Sequence, residues 1–365
     1  MSVLILTEEF DPTADAIVET LRSRNSEQVH RVDLGWFPAR MDFDAHLGSD
    51  GWTGALRTES RNIPFEGLRS VLYRSPTAFQ FAPGLSGAEL RHARMEAKIG
   101  LGGCLSALPG LLWVNHPARQ ADMHKPTQLA AARAAGLSVP PTLITNRADA
   151  VRRFARQTAG PIVVKPLGYA SVLEAGGRRA MYTHLLTDAE LVDPQGVEAT
   201  AHLFQRYIDA KAYELRLTVV GRGDDARLFP VAIHAGSTAS RIDFRADYDS
   251  LAYSVAEVPS EVASGVRAFM QTFGTTLGHF DFCVDDAGHH WFLECNGSGG
   301  QYQFAEKATG LPITEAIADL LEKGPTTHPP AWSTVPTRRS ATSGWTPCTA
   351  TSSWPPSGRC TTATG

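Results

Sequence analysis

No stretch of this chain approaches eighteen consecutive apolar residues. Its first ten positions, MSVLILTEEF, carry only four in a row before acids intervene. Neither a membrane span nor a signal peptide is therefore expected. The five cysteines (Cys104, Cys283, Cys295, Cys348, Cys360) are odd in number, scattered and without a CxxC pair. That spacing excludes the usual structural zinc site and fits a reduced, cytoplasmic protein. Basic residues are not in excess: 34 Lys and Arg face 38 Asp and Glu, for a net charge of −4, and no basic run is present. Nucleic acid is thus not expected as a partner. The patterns GxxxxGK[ST], GxGxxG, HExxH and GxSxG are all missing, which removes the support for a P-loop, a Rossmann site, a zincin or a nucleophile elbow. Asn296-Gly297-Ser298 matches a glycosylation triplet, an accidental match in a chain without a secretory signal.

The 365 residues, 43% of them hydrophobic and 20% charged, have the composition of a globular protein of two or three domains. Composition changes abruptly after Gly324. Residues 325–365 contain no Asp, Glu, Leu or Ile, and Pro, Ser, Thr and Gly fill 27 of their 41 positions. Such a segment cannot bury enough surface to order itself, so it reads as a disordered tail or as an out-of-frame product. Its three tryptophans and three arginines show no periodicity.

Ahead of the tail, strands and helices alternate. Val3 to Leu6 reads as a strand, Ala14 to Leu21 as a helix with Asp11 as N-cap, and Val29 to Leu34 as a second strand, a β-α-β opening. A strand at Leu68 to Tyr73, a helix at Gly87 to Leu105 and a strand at Leu111 to Asn115 extend it into an open α/β sheet. Beyond it, Lys125 to Gly136 and Asp149 to Gln157 read as helices, Val139 to Thr145 as extended chain and Pro161 to Lys165 as a strand. Residues 168–177, with Gly168, Gly176 and Gly177, read as a mobile loop. Strands are expected at 203–208, 214–220, 228–233, 279–284 and 290–294, with helices at Ser260 to Leu277 and Pro312 to Leu321.

The chemistry concentrates near the end of this body. Asp281 lies on one strand, the turn Asp285-Asp286-Ala287-Gly288 reverses the chain, and the returning strand ends in Glu294-Cys295-Asn296. A hairpin brings Asp281 to Glu294, and the two-residue repeat of a strand puts Asn296 on the same face as Glu294. Three hard oxygen donors suit Mg²⁺, and two inward carboxylates without a cation would repel. Upstream, Lys165 ends the apolar strand PIVVK, a place where an ammonium needs an anion. Glu214 and Arg216 share a face of the strand ELRLTVV. Alone, Arg216 is as consistent with a surface ion pair as with a catalytic group.

In order, NHP followed by Lys125, IVVKP, QRYID, ELRLTVVG, Asp281-Phe282 and FLECN resemble the ATP-grasp ligases. The resemblance covers residues 1–324 and implies the α/β ATP-grasp fold. An N-terminal pre-ATP-grasp domain would occupy 1–120, a central subdomain 121–208 and a C-terminal subdomain 209–324, with ATP between the last two. On that pattern Lys125 and Lys165 face phosphate, Gln205, Arg206, Tyr207 and Ile208 form the adenine hinge, and Asp209 meets the ribose. Glu214 orients the same side, and Asp281, Glu294 and Asn296 ligate Mg²⁺. The stretches SVLYRSPTAFQF (70–81), RIDFRADYD (241–249) and GQYQFAEKATGLPITEAIADLL (300–321) are most similar to the maturases of graspetides, the microviridin-type ribosomal peptides. This narrower resemblance implies a precursor peptide as substrate. Its Asp or Glu side chains would be activated as acyl phosphates and joined to Ser or Thr hydroxyls, or to Lys amines, as macrocyclic esters or amides. Arg216, Arg241 and Arg245 are the candidates for gripping the acyl phosphate, since a guanidinium fork matches phosphate. Homodimerisation is common in this fold and is expected. Gly297 departs from the pattern, because proline often follows the asparagine in related sequences. The competing readings are an ATP-grasp ligase that adds an amino acid to a peptide or small carboxylate, and a non-catalytic binding protein on the same fold.

Overall fold

The computed structural model describes residues 2–24, 28–49, 51–168, 171–174 and 177–324. The expected tail at 325–365 and Gly176 of the expected loop lie outside them. The chain opens with β1 (Ser2–Leu6), α1 (Pro12–Ser23) and β2 (Gln28–Val32). Asp11 caps α1, accepting hydrogen bonds from the Thr13 and Ala14 amides, with Pro12 at the first helical position. An antiparallel meander follows, β3 (Met41–Gly48), β4 (Gly51–Thr58) and β5 (Arg61–Pro64), then β6 (Leu68–Tyr73), α2 (Gly87–Ser106) and β7 (Leu112–Val114). The strands β2-β1-β6-β7 form a parallel sheet in that order, so the open α/β sheet read from the sequence is present. Chain order reverses between β1 and β6. The carboxyl ends of these strands therefore frame a crevice of the kind where open α/β sheets place their functional groups.

The middle of the chain carries α3 (Pro117–Ala121), α4 (Lys125–Ala134), β8 (Thr142–Thr145), α5 (Ala148–Gln157) and β9 (Ile162–Lys165). Next come β10 (Ser171–Glu174), β11 (Gly177–Ala180), β12 (His184–Leu185), α6 (Asp188–Val192) and β13 (His202–Arg206). The order β12-β9-β13-β8 makes an antiparallel sheet. The expected loop at 168–177 is corrected here. Ser171–Glu174 pairs antiparallel with Gly177–Ala180, so most of the described part of this stretch is strand, with Gly177 at the start of β11.

The last part contains β14 (Lys211–Val220), β15 (Arg227–Ala235), α7 (Thr238–Ile242), β16 (Leu251–Val255) and α8 (Ser260–Phe273). It continues with β17 (Leu277–Asp285), β18 (His290–Asn296), α9 (Gln303–Thr309) and α10 (Ile313–Lys323). The sheet β16-β15-β14-β17-β18 is antiparallel throughout. The helix expected to run to Leu277 stops at Phe273, because Gly274 takes a left-handed φ of 65° and closes the helix. Leu277 instead starts β17.

Alternation on β17 is what builds the site. Phe280, Phe282 and Val284 are buried against α8, whereas His279, Asp281 and Cys283 occupy the opposite face. Phe280 is fully buried and packs edge-on to Phe269 at 5.2 Å and to Phe292 at 6.3 Å. Phe280→Ala is expected to lower unfolding free energy by about 3–5 kcal/mol, the range for truncating a core aromatic, as read from a urea titration. A second core joins the termini of the folded body: Ile313, Ile317 and Leu321 of α10 lie among Val3, Ile5, Ile17 and Leu21.

Candidate active site

The β17–β18 hairpin meets the expectation. Asp281 is the register partner of Glu294, and Asn296 stands opposite His279. The turn is held by Asp285, whose carboxylate accepts from the Ala287 and His289 amides. Asn296 donates from its amide nitrogen to Asp281 Oδ2 at 3.2 Å. From α4, Gln128 braces the strand between Glu294 and Asn296: its Oε1 accepts from the Cys295 amide at 2.7 Å and its Nε2 donates to the Cys295 carbonyl at 3.1 Å.

Around the hairpin stand the cations. Lys125 Nζ lies 3.2 Å from Glu294 Oε2 and donates to the Pro166 carbonyl at 2.8 Å. Lys165 Nζ donates to Gln205 Oε1 at 3.0 Å. The register Leu203↔Lys165 aligns the two strands for that bond. Burial lowers the Lys165 pKa, while Glu294 pulls it back up. No carboxylate among the described residues lies within ion-pair distance of Lys165. A partly buried ammonium with a neutral partner leaves charge to be met by an anion. Burial likewise raises the Glu294 carboxyl, but Lys125 beside it, helped by Lys165 and Arg216, brings it below the ordinary range. Asp281 goes the other way. Its burial, reinforced by Glu294 and Glu214, pushes it up to about 7 against the pull of Arg216.

Arg216 is not at the surface. It is 7% exposed, and its Nε donates to Asp281 Oδ1 at 2.5 Å while Nη1 donates to the Gln301 carbonyl at 3.0 Å. The rings of Phe244 and Phe304 lie beneath it, their centroids 5.8 and 5.6 Å from its guanidinium carbon. The other two arginines also have protein partners. Arg245 grips Asp243 with Nε at 2.9 Å and Nη2 at 2.6 Å, and Arg241 donates to the Lys211 carbonyl at 3.0 Å. Asp243 in turn accepts from the Thr183 amide at 3.0 Å.

The expected hinge runs along the end of β13. Gln205 is buried and bonds Lys165 and Thr142. The Arg206 and Tyr207 amides donate to the Pro141 and Pro161 carbonyls, Tyr207 Oη donates to the Arg241 carbonyl, and Ile208 is buried. Asp209 is exposed. Glu214 accepts from Lys211 Nζ at 2.7 Å. Lys211, buried at 7% exposure, was not legible beforehand; its signal is only a lysine three residues before Glu214. At Gly297 a Cβ would overlap Gln120 Oε1, so a side chain there requires the Gln120 amide to shift.

Lys125, Lys165, Arg216, Asp281, Glu294 and Asn296 are thus brought together, with Glu214 reached through Lys211. The donor set fits a magnesium–nucleotide pair. Two carboxylates and an amide oxygen are ligands that Mg²⁺ accepts, and a carboxylate has enough lone pairs for both Arg216 and a metal. No helix of the described residues is long and apolar enough to cross a membrane.

No protein-family model matches the chain, and no curated protein does. Solved structures do. The chain is similar to a Chryseobacterium gregarium RiPP-associated ATP-grasp ligase in complex with ADP and a leader and core peptide, with TM-score 0.78, 24% identity, and 89% of this chain and 98% of that one covered. It is similar to the macrocyclase MdnC of Microcystis aeruginosa MRC bound with precursor peptide MdnA, with TM-score 0.75, 24% identity and coverage of 89% and 100%. The macrocyclase MdnB of the same organism gives TM-score 0.70, 25% identity and coverage of 88% and 98%. The mixed α/β architecture and its acidic hairpin therefore have the ATP-grasp fold, in the form found in RiPP-associated ATP-grasp ligases and macrocyclases.

Proposed function

We propose that this protein is an ATP-dependent peptide ligase that closes rings in a ribosomal precursor peptide. The observation that carries the reading is the register pairing of Asp281 with Glu294, beside Asn296, Lys125 and Lys165. Peptide as the substrate is supported by the precursor, leader and core peptides named with the similar structures.

A carboxylate does not condense with an alcohol in water, so activation is the main task. A side-chain carboxylate oxygen of the peptide attacks the γ-phosphorus of ATP, ADP leaves, and an acyl phosphate forms. A Ser or Thr hydroxyl, or a Lys amine, then attacks the acyl carbon; phosphate departs, the nucleophile loses its proton, and an ester or amide closes the ring. When bound, Mg²⁺ supplies positive charge against the phosphate oxygens. Asp281, Glu294 and Asn296 would hold it. Lys165 and Lys125 bind phosphate oxygens and offset their charge. Gln205, Arg206, Tyr207 and Ile208 line the adenine side, Asp209 and Glu214 stand on the ribose side, and Arg241 and Arg245 reach the acyl phosphate once the peptide is in place. Arg216 keeps Asp281 oriented next to them. The hairpin β10–β11 closes over the phosphates and excludes water.

The test is mass spectrometry. The full chain, ATP and Mg²⁺ are incubated with the peptide encoded by a neighbouring small reading frame that carries Thr or Ser together with Glu or Asp. The expected product has lost one water per ring, with one ADP formed for each. A product heavier by an amino acid would instead identify a residue-adding ligase.

A further inference from the structure

Behind the acidic hairpin runs a second set of buried polar contacts, which the reaction outlined above does not use. Its centre is Arg74, just past the carboxyl end of β6, 8% exposed and 224 positions from its contact Ser298 in sequence. Arg74 Nε donates to Asp11 Oδ2 at 2.6 Å, and Nη1 donates to the carbonyls of Ser298 at 3.1 Å and Gly300 at 2.9 Å. Asp11 is 4% exposed and is steadied by the Thr7 hydroxyl at 2.6 Å. The pair lies in the crevice between β1 and β6, where the chain order of the parallel sheet reverses.

What Arg74 holds is the loop that follows Asn296 directly. The same loop is gripped from α3, where Gln120 Oε1 accepts from the Ser298 amide at 3.1 Å and Gln120 Nε2 donates to the Ser298 hydroxyl at 3.1 Å. The Ser298 hydroxyl donates to the Tyr73 carbonyl. A Cβ at Gly300 would overlap the His279 ring, so the backbone is pressed onto β17. At its far end the Gln301 carbonyl accepts from Arg216, which is paired with Asp281, and Asp281 accepts from Asn296. The loop thus leaves one expected ligand and returns to the partner of another.

We propose that Arg74 is a positioning residue for the magnesium–nucleotide site. Braced on Asp11, its guanidinium sets the backbone of 297–301, and that backbone sets Arg216 and Asn296 against Asp281. The proposal rests on the reading of Asp281, Glu294 and Asn296 as Mg²⁺ ligands. An arginine is required because the function needs a fork: one edge for the carboxylate, another nitrogen for two carbonyls. Groups that orient ligands from behind typically alter metal affinity by about 10–100-fold.

The experiment is isothermal titration of ADP into the full chain across a series of Mg²⁺ concentrations, with thermal unfolding measured in parallel. Arg74→Lys keeps the charge opposite Asp11 but offers a single ammonium. The double variant Arg74→Gln/Asp11→Asn removes both charges, so that none is left buried and unpaired, and Asn still caps α1. Both variants are expected to fold and to need about 10-fold or more Mg²⁺ for half-maximal ADP binding. Unchanged Mg²⁺ dependence in both, with the parent binding normally, would overturn the proposal alone. Loss of folding in both would reduce the pair to structural support and also overturn it. A parent that binds no ADP in a Mg²⁺-dependent way would remove the functional reading, and the proposal with it.

Discussion

Glu294→Gln should abolish ATP-dependent modification of the peptide while leaving the protein folded. The substitution keeps shape and removes one charge from a pair whose partner, Asp281, is the weaker acid, pushed up by burial to about 7. Glu294 is the carboxylate held ionised by Lys125 at 3.2 Å, so its loss takes away the charge on which a cation depends most. The expected drop in turnover is on the order of 10³-fold, equivalent to roughly 4 kcal/mol of transition-state stabilisation. Stability should hardly fall, since the side chain is 32% exposed and its neighbour is another carboxylate. Turnover by single-turnover mass spectrometry and folding by circular dichroism check the two halves. Parent-like behaviour of the variant would favour a non-catalytic binding protein on the same fold.

Arg216→Leu should strongly destabilise the folded protein. It leaves Asp281, 8% exposed, without the cation that bonds it at 2.5 Å. Breaking a buried pair from one side costs about 3–5 kcal/mol, because the carboxyl left behind must either stay charged without a partner or take up a proton. The pH dependence has a definite sign. Asp281 already sits above the ordinary carboxylate value of about 3.9, and without Arg216 it rises further. Across that window the folded state holds a proton that the unfolded state has released, so stability falls as pH rises from about 4 through neutrality and beyond. In Mg²⁺-free buffer the variant should lose stability over a wider alkaline range than the parent. Adding Asp281→Asn to Arg216→Leu should recover most of the loss, which urea titrations from pH 5 to pH 9 would reveal. No recovery in the double variant would place the role of Arg216 elsewhere, in its contact with the Gln301 carbonyl or with the rings of Phe244 and Phe304.

The acidic hairpin was legible in the sequence because its signals are local. A DDAG turn sits between two apolar strands with period-two alternation, and that pattern dictates which carboxylates meet. The parallel opening was equally open to reading, since Asp11-Pro12 marks a helix start between two buried strands. The meander at 41–64 was not, because its strands are half exposed and carry polar residues such as Asp42, Asp44 and Arg57 where an apolar run would be sought. The pairing of Ser171–Glu174 with Gly177–Ala180 was hidden because a sequence with Gly168, Gly176 and Gly177 reads as a loop as readily as two short strands. Least legible were residues whose role depends on distant register. Arg216 reads as any strand arginine until β14 is laid against β17, and Arg74 shows nothing until Ser298 arrives from 224 positions away. Gly297 departs from the resemblance in the sequence, and in the structure it lies against the Gln120 side chain.

Central to the proposed function is one cation shared by Asp281, Glu294 and Asn296 at the phosphates of a nucleotide. A crystal structure of the protein grown with ADP and Mn²⁺ in place of Mg²⁺ tests this directly, because manganese is located by its anomalous signal. The account predicts a peak at about 2.0–2.3 Å from oxygens of these three side chains and of the ADP phosphates, with Lys165 turned toward the same phosphates. A peak elsewhere, or ADP lying away from the β17–β18 hairpin, would contradict it.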